Sequence, residues 1–426
     1  MSTDGNHRPA LYRLVIAHYL ISAMCFAGLA VMMFFAAGNL TGHYFHPQLL
    51  AITHMAALGW ASLIIFGAVY QLLPVILETE LYSYRTAWLS LILFLCGLIL
   101  MVYSFWNFEP GLLMQCGSFL LFSGILLFGL VIFLTARKNR DDIHQEFIIT
   151  AVLWLIATAL LGTILVFNFR YAFLQKDHLL FLKLHAHMGL AGWFLMLITG
   201  VSSKLIPMFL VSKEQKRGLL SWTYYLINAG LIFFVTDTYF FGLNIRTYFA
   251  ALIVVSGIVC WLCYIAACFK SRIRRVIDLP MLHTLVAIIL LSAGIIVLPV
   301  IVFYHLKSDP QAAKYTTLYG SLLLMGWISS LVLGQSFKTL PYIVWAKHYQ
   351  HLAGKMPIPL PAELFRQKWL KVQFILYVAF VVAFFMGMLL KSNPLINIGL
   401  TCFLFVSLLY LANILVIIFH QPPTKT

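Results

Sequence analysis

Apolar runs of about twenty residues recur along almost the whole chain, and they limit what it can fold into more than any other feature. Of the 426 residues, 62% are hydrophobic and only 10% are charged, whereas a soluble domain carries roughly 25% charged residues. In lipid the backbone must satisfy its own hydrogen bonds, so each run reads as a helix. The runs predict spans near 10–37, 47–77, 85–106, 111–136, 146–169, 179–211, 219–243, 246–270, 280–305, 314–345, 366–391 and 394–420. The expected fold is all-α: a polytopic membrane protein of twelve transmembrane helices, with residues 1–426 forming a single membrane domain. The N-terminal stretch MSTDGNHRPALYR is polar and shows no small-residue cleavage site, so the first helix is read as retained and not as a signal peptide.

The formal charge of +15 invites a nucleic-acid reading. In a membrane chain it is better explained by Lys and Arg gathered on cytoplasmic loops. Arg137, Lys138 and Arg140 follow span four; Lys213, Lys216 and Arg217 follow span six; Lys270, Arg272, Arg274 and Arg275 follow span eight; Lys347, Lys355, Arg366 and Lys368 follow span ten. The intervening loops hold fewer. The expectation is a multi-pass protein of a bacterial cytoplasmic membrane, in contact with lipid, with both termini inside and no nucleic-acid partner. Spans two, six and ten then run from outside to inside. Residues 346–365, which contain MPIPLP, are read as a cytoplasmic surface loop because of their prolines.

A repeat organises the chain. HMAALGWASLIIFGAVYQLLP at 54–74, HMGLAGWFLMLITGVSSKLIP at 187–207 and SLLLMGWISSLVLGQSFKTLP at 321–341 share one internal spacing. Its anchors are Gly59, Trp60, Gly67 and Pro74; Gly192, Trp193, Gly200 and Pro207; Gly326, Trp327, Gly334 and Pro341. Copies lie about 133 residues apart, which is four spans, so the chain reads as three parallel, pseudosymmetric four-helix repeats at approximately 10–140, 141–275 and 276–420. The glycines suit close approach of helices or of a flat ring, and the prolines suit the cytoplasmic helix ends.

Histidine is rare inside membrane spans and is usually functional or partnered there. His54 and His187 occupy the same repeat position, six residues before the Trp, near the outer helix ends; the third copy has Ser321 there. His185 lies two residues before His187, about 200° around the helix. The two therefore suit separate sites on opposite helix faces, which disfavours a compact zinc site. A neutral imidazole can be an axial ligand to heme iron. His54, His185 and His187 are thus the candidate cofactor-binding and metal-ligating residues, and no catalytic residue is assigned. His18 and His283 sit toward the inner ends and read as polar packing. His43, His46, His178 and His305 lie in outer loops or helix ends, and His348 and His351 read as solvated. Arg170, Lys176 and Lys183 are outer-side cations suited to propionates. Asp237 reads as a proton carrier or as a partner of Thr236. Tyr315, Tyr319 and Tyr342 are not assigned. The seven cysteines, Cys25, Cys96, Cys116, Cys260, Cys263, Cys268 and Cys402, lie in apolar stretches; no His follows the Cys260–Cys263 pair, so heme would be non-covalent.

The segment HAHMGLAGW, followed by LIP at 205–207, resembles the tenth helix of subunit I of the heme–copper oxidase superfamily, the cytochrome oxidase and nitric oxide reductase catalytic subunit. The chain is similar to a divergent member of that family. The resemblance implies twelve helices in three arcs, with His185 as ligand of a high-spin heme and His187 and His54 around a low-spin heme. The chain departs from the family pattern in three ways. Its His-X-His is on span six, residues 314–345 contain no His, and span seven lacks the copper-binding histidine pair. A copper centre is therefore unsupported by these residues.

The resemblance implies a membrane cytochrome for respiratory electron transport, with one b-type heme and a second at His185. It would reduce oxygen or nitric oxide if it is an oxidoreductase. Its partners would be a cytochrome c-like or quinol electron donor and further membrane subunits. Two alternatives stand beside it: a non-enzymatic heme protein of nitric oxide response or assembly, similar to the NnrS type, and a solute transporter that shares the repeat architecture.

Overall fold

The computed structural model describes residues 4–76, 79–137, 142–213, 216–273 and 276–422. The basic residues Lys138, Arg140, Arg274 and Arg275 lie outside them. Among the described residues twelve helices are long and apolar enough to cross a membrane: Ala10–Phe35, Pro47–Pro74, Tyr84–Asn107, Leu112–Ala136, Ile143–Tyr171, His178–Leu210, Arg217–Phe241, Arg246–Lys270, Leu279–Leu306, Gln311–Leu352, Gln367–Leu390 and Asn393–Ile418. They are spans one to twelve. Span ten runs further than the sequence predicts. Its helix continues to Tyr349, and the proline-rich stretch begins only after it. Pro74 and Pro207 sit in the last turn of their helices, near the expected ends, whereas Pro341 lies well inside a helix that continues to Tyr349. In a bundle, neighbouring helices can satisfy the carbonyls that a proline leaves unbonded.

Spans two, six and ten form the centre. Of their apolar stretches 67%, 72% and 78% is buried, against 28–50% for the other nine spans. Each is widened into a π-helical stretch directly after the repeat position of the histidines: Met55–Ser62, Met188–Leu195 and Leu322–Ile328. A π turn shifts the hydrogen-bond register and leaves carbonyls for other partners. Hydroxyls from neighbouring spans take them: Ser22 donates to the Trp60 carbonyl at 2.7 Å, and Tyr377 to the Met325 and Gly326 carbonyls at 2.9 and 2.8 Å.

The three Gly-Trp motifs meet in a pseudo-threefold ring. The Trp193 indole on span six donates to Ser62 Oγ on span two at 3.0 Å, and the Trp60 indole on span two donates to Ser329 Oγ on span ten at 3.0 Å. The same step from Trp327 on span ten leads to Leu195, two residues after Trp193, which offers no acceptor. Trp327 and Leu195 instead line a cavity. The second glycine of each repeat lets the preceding outer span approach. A Cβ at Gly67 would stand 2.7 Å from His18, one at Gly200 2.3 Å from Phe147, and one at Gly334 2.5 Å from Pro280.

Replacing Ser62 with alanine strands the buried Trp193 N–H. Leaving one buried donor unpaired costs about 1–3 kcal/mol, so the S62A protein should unfold measurably earlier than the parent in detergent melts.

Candidate functional site

All three predicted histidines lie toward one end of the central spans, and each uses Nδ1 on a backbone carbonyl. His54 bonds Leu50 O at 2.8 Å, His187 bonds Lys183 O at 2.8 Å, and His185 reaches across to Thr158 O on span five at 3.0 Å. A carbonyl only accepts, so Nδ1 carries the proton and the Nε2 lone pair is left for another partner. Bonding of a membrane histidine to a helix carbonyl, the bland reading of such a residue, is therefore present, and it orients the ring for ligation.

The structure brings together His54 and His185, not His54 and His187. The rings of His54 and His185 have centres 6.4 Å apart and planes 24° apart. The ring that meets His54 is that of His185, where pseudosymmetry suggests His187; His187 lines the same cavity. The His54 ring also stacks on Phe105, with centres 4.7 Å apart.

His54 and His185 line a cavity of about 320 Å³, together with Phe105, Thr158, Gly162 and Phe169. Gly162 makes room for His185: a Cβ there would stand 2.8 Å from the ring's Cε1. A Gly162→Val change should push His185 off Thr158 and away from His54 while leaving His187 in place. The check is a protein that keeps its fold yet loses the signature of paired imidazoles.

His187 lies between two cavities and lines both. Its ring packs 4.7 Å from Phe234 and 6.2 Å from Tyr319, on the wall of a second cavity of about 670 Å³. Lys183, Tyr319 and His187 line both cavities, while His43, His305 and Trp327 line the larger one.

With Nδ1 of each ring bonded to a carbonyl, the Nε2 atoms of His54 and His185 are the nitrogen donors that could hold a metal ion or a metalloporphyrin in the smaller cavity. Among the described residues no three His, Cys, Asp or Glu side chains converge into a metal-binding group.

The remaining candidates are placed as follows. Of the three cations, Lys183 lines the cavities, whereas Lys176 binds the Tyr239 carbonyl and Arg170 lies beside Tyr171. Asp237 is paired with Arg246 at 3.0 Å and accepts from Asn244 at 3.0 Å; Thr236 bonds its own helix. The acid is thus a fixed ion pair at the end of span seven, and not a partner of Thr236. His18 and His283 are buried at the opposite end of the bundle, His18 bonding Leu14 O at 2.8 Å. His144, which the sequence did not single out, lies at that end too, 3.2 Å from the Gly200 carbonyl. His178 lines the smaller cavity and meets Asn168.

No family model matches the sequence, and no curated protein matches it. A structure titled as a heme–copper terminal oxidase dimer superposes with a TM-score of 0.70, covering 97% of this chain and 84% of that one at 12% identity. The chain has the fold of a heme–copper terminal oxidase. Within this fold, the rings of His54 on span two and His185 on span six meet.

Proposed function

We propose that this chain is a heme-binding membrane cytochrome with a bis-imidazole b-type heme between His54 and His185 and a second heme site at His187. The observation that carries the reading is the spacing and near-parallel orientation of the His54 and His185 rings, each with Nδ1 bonded to a carbonyl. The terminal-oxidase-like fold and the apolar walls of both cavities support it. Bound there, heme supplies a one-electron couple. The protein's own part is to hold the imidazole planes, exclude water with Phe105 and Phe169, and place Lys183 beside both cavities for an acidic substituent. We read the end with the basic loops as cytoplasmic. Electrons then enter from the outer side, from a cytochrome c-like or quinol donor, and His187 is where oxygen or nitric oxide would be reduced.

The purified protein, expressed with ample heme, should show a Soret band and a sharp reduced α band that carbon monoxide leaves unshifted. A protein without a Soret band would overturn the proposal. A second reading, a nitric oxide responder without turnover, is favoured by the absence of any histidine from span seven, Arg217–Phe241. Steady turnover of oxygen or nitric oxide with an artificial donor excludes it.

A further inference from the structure

At the end of the bundle read as outer, spans nine to twelve carry a positive excess that the rest of the face lacks. Lys307 follows span nine, Lys314 lies in the first turn of span ten, and Lys391 follows span eleven; Asp309 is the one acid beside them. Its carboxylate accepts from the Gln311 N–H at 2.8 Å and so caps span ten. Elsewhere on the face cations and acids match in number: Arg170 and Lys176 stand with Glu109 and Asp177, and Arg246 pairs with Asp237 at 3.0 Å. Lys183 is set apart, on the cavity walls. The three lysines complement the helix C-termini they adjoin, Lys314 Nζ donating to the Leu389 carbonyl at 2.9 Å. That explains their places but leaves their charge uncancelled, on connections where the topology bias disfavours cations. Lys307 and Lys391 are fully in the open.

An aromatic ladder starts beside these lysines. Tyr304 and Tyr315 stack with ring centres 5.4 Å apart and planes at 9°. Tyr319 stands about one helical turn further along span ten, and its ring centre lies 6.2 Å from that of His187. Phe303 and Leu306, 46% and 43% exposed, extend the apolar surface next to Tyr304, and Lys307 Nζ lies 4.2 Å over the Phe303 ring. An apolar centre with a charged rim is the anatomy of a docking surface. We infer that this patch docks an acidic one-electron carrier protein, and that the ladder carries its electron to the His187 site. The inference rests on the reading of His187 as a heme-site residue, and it names the class of electron donor. An uncharged quinol would gain nothing from the three lysines, and a carrier with a basic face would be repelled by them. One electron leaves the carrier and is taken up at the His187 site. Tyr304, Tyr315 and Tyr319 keep their own electrons and protons and serve as the packed medium between.

The test mixes the full-length, heme-loaded protein rapidly with two reduced c-type cytochromes of similar potential, one acidic and one basic. Ionic strength is raised from about 0.01 M to about 0.15 M, which shortens the reach of exposed charges. The acidic cytochrome should reduce the protein at least about tenfold faster at low salt, and the gap should close as salt rises, as for steered association. K307E/K391E should abolish that advantage, and R170E, on the matched part of the face, should not. Y315L should slow electron entry at saturating carrier and leave its salt dependence unchanged. An unaltered dithionite-reduced spectrum shows that each variant is folded. The inference is overturned if the basic cytochrome reacts faster, if the rate is indifferent to salt, or if K307E/K391E behaves as the parent. Full-rate entry in Y315L overturns the ladder. Rapid reduction by a short-chain quinol, with neither cytochrome reacting, overturns the inference in favour of a quinol donor. A parent whose heme is reduced by dithionite but by neither cytochrome sinks this inference and spares the heme sites. A parent with no heme at all sinks the functional proposal itself.

Discussion

Replacing His54 or His185 by alanine is expected to abolish the low-spin heme, and the two substitutions should be equivalent. Under the proposed bis-imidazole site each would remove one of two nitrogen donors, and the remaining imidazole faces an apolar cavity lined by Phe105 and Phe169. Loss of an outer-shell partner alone typically lowers metal affinity about 10–100-fold, so losing a direct ligand should exceed that range. Reduced spectra of H54A and H185A should lack the sharp α band. The double variant should look no worse than either single one, because both residues serve one site. A paired-imidazole spectrum in H185A, or its loss in H187A, would restore the His54–His187 pairing that the sequence suggests.

His187→Ala should have an effect of similar size on a different observable. Its ring lies against Phe234 and Tyr319. The variant should keep the low-spin heme and lose all carbon monoxide binding, along with any turnover of oxygen or nitric oxide. The His54 and His187 substitutions should therefore be separable in one set of spectra, taken with and without carbon monoxide. Loss of both signals in H187A, with the fold retained, would mean that the two cavities share one cofactor.

The helical frame was legible because hydropathy is a sum over many residues, and helix is the element that satisfies its own backbone in lipid. The repeat was legible because Gly-Trp recurs with constant spacing. The continuation of span ten to Tyr349 was less so: Lys347 and His348 read as loop, yet the helix carries them out past the apolar stretch. The candidate residues were found, but the ring that meets His54 is that of His185, two residues before the His187 that equivalence by rotation suggests. The π-helical stretches and the Asp237–Arg246 ion pair depend on neighbouring spans, which no local pattern records.

The near-parallel imidazole planes make one measurement sharper than the rest. In a heme held between them, planes 24° apart would lift the degeneracy of the iron dπ orbitals. The electron paramagnetic resonance spectrum of the oxidised parent protein should therefore contain a rhombic low-spin ferric signal, absent from both H54A and H185A. A spectrum with only high-spin heme, or a strongly anisotropic signal typical of perpendicular imidazoles, would contradict a heme held between His54 and His185.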